Sequence, residues 1–128
     1  FTILCLGIAA SCGGFGFVFE RGLSGKYFLQ ATDSRDQMSL DRKEPNTDGV
    51  GVIDKTVFAV GWDAEFIIAK QHPWKGSRID KTHTNFYIIN VNTGEIFGPY
   101  GEPEFGDQLR ARGARRDMPF SLVFDDLQ

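Results

Sequence analysis

Thr56-Val-Phe-Ala-Val-Gly61 and Glu65-Phe-Ile-Ile-Ala-Lys-Gln71 decide the fold class. Both runs are rich in β-branched and aromatic residues, which suit a pleated, half-buried surface. Trp62-Asp63-Ala64 separates them, so they are expected to pair as a hairpin across a short loop. A third run, Thr84–Val91, is followed by Asn92-Thr93-Gly94, a turn in which Gly94 suits a left-handed backbone, and Glu95–Gly98 should pair back.

Outward from this centre the signals weaken. Gly25–Thr32 reads as the first strand, Asp33–Asp36 as a polar turn, and Gln37–Arg42 alternates as a half-exposed strand does. Lys43–Gly51 stacks turn formers and reads as a loop, and His72–His83 as a long polar excursion. Pro103–Arg112 is the helix candidate. Pro103 suits a first turn, Glu102 and Glu104 complement the N-terminal dipole, and Arg110 and Arg112 sit at the other end. Phe105 and Leu109 share one face of it, Gly113 stops it, and Pro119–Phe124 reads as a last edge strand. The fold class is α+β: mainly antiparallel β-sheet, of about five to seven strands, with one C-terminal helix packed on it.

Composition fits one folded domain. The chain has 128 residues, 41% hydrophobic and 24% charged, and its 12 Phe point to an aromatic core. The net charge of −3 argues against nucleic acid as a partner, which needs a concentrated basic face. Cys5 and Cys12 are the only cysteines, both in the apolar start, so neither a disulfide framework nor a thiolate metal site is expected.

That start carries an address. The apolar run Phe1–Ile8 turns into the small residues Ala9-Ala10-Ser11-Cys12-Gly13, the pattern of an export signal. With Cys at its end the segment resembles a lipobox, which implies a diacylglyceryl group on the Cys12 sulfur and cleavage after Ser11. Ala9 stands where Leu is usual and no basic n-region precedes it, so the signal is expected to begin upstream of Phe1. A transmembrane anchor and a buried first strand are the other readings of this stretch. The expected organisation is a signal over 1–12, a tether over 13–24 and a β-rich domain over 25–128. The expected location is the bacterial cell envelope, on the periplasmic or extracellular face, with the membrane as partner through Cys12.

Val60-Gly61-Trp62-Asp63, Phe66-Ile-Ile-Ala-Lys-Gln-His-Pro73, Thr84-Asn-Phe-Tyr-Ile-Ile89, Thr93-Gly-Glu95 and Gly98-Pro99 occur in an order that resembles a family of small uncharacterised bacterial proteins. Many of its members carry lipoprotein signals, so the resemblance implies export; it implies no catalytic residues.

The sequence shows no recognisable catalytic set. His72 and His83 flank a loop with Asp63 and Asp80 near in sequence, short of the converging ligands that a metal needs. No Gly-x-Ser-x-Gly occurs, chance carboxylate pairs carry no weight, and no cofactor is expected. The loop Gln71–Lys81 is basic and carries an aromatic, which makes His72, Trp74, Lys75, Arg78 and Lys81 candidates for binding a protein partner or ligand. The competing reading folds Trp74 back over a sheet edge. Arg110, Arg112, Arg115 and Arg116 form a second basic cluster, either a lipid-headgroup contact or a solvated helix end. A non-catalytic, lipid-anchored envelope module is the expectation. The alternatives are an immunity-type lipoprotein that neutralises an envelope-attacking enzyme and, further off, a small hydrolase.

Overall fold

The run Phe66-Ile67-Ile68-Ala69 has no polar residue in it because both faces of its strand are covered. The computed structural model describes residues 17–128. In chain order the strands are β1 (Phe17–Gly22), β2 (Tyr27–Thr32), β3 (Ser39–Arg42), β4 (Val50–Ile53), β5 (Val57–Trp62), β6 (Phe66–Gln71), β7 (Trp74–Lys75), β8 (Arg78–Ile79), β9 (Asn85–Asn90), β10 (Ile96–Tyr100) and β11 (Leu122–Val123). One 3-10 turn (Arg35–Gln37) follows β2, and the helix α1 (Glu102–Ala111) follows β10.

The hairpin β5–β6 forms as the sequence leads one to expect, with Asp63 closing its loop. The Asp63 carboxylate accepts the backbone N–H groups of Glu65 and Phe66, each at 2.8 Å. These strands lie inside a five-stranded sheet, order β10-β9-β6-β5-β11, antiparallel throughout. On one face, Ile67 opposite Ile89 and Ala69 opposite Tyr87 look toward a second sheet, order β1-β2-β3-β4. That sheet contributes Leu29, Ala31, Leu40 and Ile53 to the shared core. On the other face, Ile68 opposite Ile88, with Phe66 and Phe86, meets Phe105 and Leu109 of α1. The molecule is therefore α+β in three layers: sheet, sheet and helix. Each fully buried Ile of the middle layer contributes roughly 1.5–3 kcal/mol of transfer free energy.

The expected helix agrees to within a residue at each end, with Pro103 in its first turn and Phe105 and Leu109 buried. Three expectations need correction. The expected single sheet is two main sheets and the two-stranded β7–β8 ribbon, because the alternation of the N-terminal strands serves a separate partner layer. The tether over 13–24 is cut short. Phe17–Gly22 is a strand hydrogen-bonded to β2, and Phe19 packs edge-on against Phe124 with ring centroids 5.1 Å apart. Val50–Ile53, split between the loop over 43–51 and the residues after it, is an edge strand on β3. Its short, Gly-containing run carries too little pattern to show that. The signal expected over 1–12 lies outside the described residues.

Gly61 is a requirement of the fold. A Cβ there would come within 2.0 Å of the Pro119 carbonyl oxygen, so the C-terminal segment can cross β5 only over a bare backbone.

Candidate functional site

The site begins where β6 runs out. Beyond Gln71 the chain holds Thr56 by two backbone bonds, Thr56 N–H to the His72 carbonyl at 3.0 Å and His72 N–H to the Thr56 carbonyl at 2.9 Å. This pair fixes His72 at the sheet end, where it is only 3% exposed. Phe58 stands at an irregularity in the β5–β6 register, and its ring stacks on the imidazole, centroids 4.1 Å apart and planes 16° off parallel.

The imidazole's tautomer follows from its neighbour. His72 Nδ1 lies 2.8 Å from the His83 carbonyl oxygen, which can only accept, so Nδ1 carries the proton. In the neutral ring Nε2 is then the lone pair. It is buried and has no hydrogen-bond partner among the described residues. A buried acceptor without a donor costs about 1–3 kcal/mol, which folded proteins rarely leave uncompensated.

An open cleft of about 460 Å³ lies against this ring. β6 and the residue beyond it supply Lys70 and His72, the link into β9 supplies Lys81, Thr82 and Thr84, and the start of α1 supplies Glu102. Phe58 and Phe86 form the apolar part of the wall. The Lys70 ammonium sits 4.6 Å from the Phe120 ring centroid and 5.5 Å from that of Phe86, a cation–π position rather than an ion pair. Lys81 Nζ donates to the Asp126 carbonyl at 3.3 Å.

Local turn chemistry holds the link in place. The Asp80 carboxylate accepts from both the hydroxyl and the backbone N–H of Thr82, and these bonds hold its pKa below the ordinary carboxylate value. His83 does not share the site. Its Nε2 meets Asn85 Oδ1 at 3.0 Å, and Asn85 donates in turn to Gln71 at 2.9 Å. Among the described residues no group of three or more His, Cys, Asp or Glu converges as metal ligands would.

The five candidates from the 71–81 loop thus part company. His72 and Lys81 line the cleft. Trp74 is half-buried in the β7–β8 ribbon; its indole N–H donates to Thr56 Oγ1 at 2.9 Å, and Lys55 Nζ lies 4.5 Å from its ring centroid. It folds back on the end of β5, the second of its two readings. Lys75 and Arg78 are exposed on either side of the ribbon's tip, where Gly76 takes a φ of +63°. Lys70, Thr84 and Glu102 are cleft residues that sequence reasoning missed. Lys70 lies mid-strand and Glu102 is far off in sequence, so no local spacing marks either.

The arginine cluster lies at the opposite end of α1. Arg112 stacks 3.9 Å from the Phe97 ring centroid, and Arg115 pairs with Asp117 at 3.3 Å.

Residues 24–123 match the family described as Protein of unknown function (DUF3997). The chain belongs to this family. The DUF3997 match spans both sheets and α1, and reaches well beyond the C-terminal half that carries the resemblance read from sequence. It contains His72 and every cleft residue named above, while β1 lies ahead of it. No curated protein and no solved structure matches the chain.

Proposed function

We propose that this DUF3997 protein is a lipid-anchored binding domain of the bacterial cell envelope, non-catalytic and held to the membrane through Cys12. The observation that carries the reading is the apolar run that turns small and ends Ala9-Ala10-Ser11-Cys12. The early start of β1 at Phe17 adds a constraint. Only Gly13–Gly16 separates Cys12 from β1, the first strand among the described residues. Fully extended, that stretch reaches no more than about 17 Å, so the domain works at the membrane surface and not at a distance from it. Multiple acyl chains on a mature lipoprotein hold firmly, where one alone would not. The polar cleft and the exposed Lys75 and Arg78 are the surfaces suited to binding.

Intact-mass measurement of the membrane-extracted protein tests the address. A diacylated or triacylated Cys12 as the new N-terminus is expected, and Cys12→Ser should release the protein from the membrane fraction. An unprocessed chain extending upstream of Phe1 would refute it.

A further inference from the structure

The cleft beside His72 holds two ammonium groups whose contacts within the fold are an aromatic pair, for Lys70, and one backbone carbonyl, for Lys81. Lys70 and Lys81 both line it, and neither pairs with a carboxylate among the described residues. At the Glu102 rim, the first intrahelical bond of α1 is Phe105 N–H to the Gly101 carbonyl, and Gly101 has no side chain to cap the turn. The N–H groups of Glu102 and Glu104 are therefore without intrahelical acceptors, and Pro103 has none to offer. The two ammonium groups and these N–H groups donate, which favours an oxyanion, and they outnumber the one acidic side chain of the lining, Glu102. His72 Nε2 makes the opposite demand. In the neutral ring it is a buried acceptor without a partner among the described residues, on a side chain that lines the cleft.

We propose that this cleft binds a phosphate-type oxyanion that carries an O–H, as hydrogen phosphate does at neutral pH and a phosphomonoester does in its singly protonated form. Lys70 and Lys81 supply the charge, the Thr84 hydroxyl and the first turn of α1 supply neutral donors, and the ligand's O–H answers the His72 lone pair. A carboxylate or a phosphodiester meets the first demand and not the second, because neither carries a proton near neutral pH. The inference rests on the reading of the domain as a binding module, and specifies the chemistry it binds. Free phosphate and the headgroup of a phosphatidic-acid membrane share that chemistry.

The test is titration of the full chain with inorganic phosphate, followed by amide and imidazole NMR shifts. Saturable shifts are expected at Thr84, Glu102, Glu104 and the His72 ring. Lys70→Gln and Lys81→Gln should each weaken binding about tenfold, as for loss of a charge-assisted contact. Lys43→Gln, in the loop that follows β3 of the other sheet, should leave it unchanged. Sulfate, which has no proton to give, should bind more weakly than phosphate, and equal affinity would overturn the role of His72. Vesicles separate the sources. Retention on phosphatidic acid but not on phosphatidylglycerol, lost with Lys70→Gln, assigns the headgroup; binding of free phosphate alone assigns the soluble ion. Absence of both, or binding undiminished in the double lysine variant, overturns the proposal. Both lysines are outside the core, so the variants should keep the parent spectrum elsewhere. The address at Cys12 is read by mass, so either proposal can fail without the other.

Discussion

The two sheets differ in how they meet the rest of the molecule. The five-stranded sheet is an interior layer, with the four-stranded sheet on one face and α1 on the other. The four-stranded sheet is an outer layer. Its inner face is apolar, but its other face mixes Phe28 with Gln30 and Asp41, all buried beneath the β3–β4 loop; Gln30 and Asp41 are joined by a hydrogen bond, and Ser39 donates to the same carboxylate at 2.8 Å. A layer covered on both sides needs apolar residues at every position. A layer whose second face is covered only by a loop tolerates polar residues there, provided most of them find partners.

Substitutions can break or sharpen this contrast. Ile68→Ala, in the middle layer, should cost about 2–5 kcal/mol in denaturant unfolding. Val50→Ala, on the 40% exposed edge of the outer layer, should stay within about 0.5 kcal/mol. Equal losses at the two positions would remove the distinction between the layers. Gly61→Ala comes next, at about 1–3 kcal/mol, because its methyl would strike the Pro119 carbonyl. An unchanged midpoint would show that the C-terminal segment does not cross there.

Trp74→Phe should cost about 1 kcal/mol, since Thr56 Oγ1 loses the indole donor while the ring remains. It should also speed amide exchange in the β7–β8 ribbon without touching the two sheets. The smallest effect is electrostatic. Asp80 titrates below an ordinary carboxylate because of Thr82, so this turn is tightest above the ordinary pKa and loosens as pH falls through the depressed one. Thr82→Val removes the first cause, and carboxyl NMR should show the Asp80 midpoint rising toward its usual value.

The same contrast explains what was legible in advance. Thr56–Gly61, Glu65–Gln71 and Thr84–Val91 announce strands because a doubly covered layer writes itself as unbroken apolar runs. Phe17–Gly22 and Val50–Ile53 did not announce themselves as strands. The first adjoins an apolar segment that reads as a signal, and the second is a short edge of which only Val50 and Gly51 are exposed. At the site, the loop around Trp74 drew notice for its composition, and only His72 and Lys81 of it line the cleft. Arg35 and Asp126 pair across most of the chain at 3.3 Å, a contact no local pattern foretells.

By itself, then, the sequence determined the secondary structure of the middle layer, the helix with its buried Phe105–Leu109 face, and the expectation of a lipid on Cys12. Each follows from residues close together along the chain, where periodicity and turn chemistry act. Only the tertiary structure decided that the strands divide into two sheets, that Trp74 turns inward, and that Lys70, His72, Lys81 and Glu102 border one cleft. Those outcomes depend on which faces find partners across the fold, and burial is settled between elements far apart in sequence, not within any one of them.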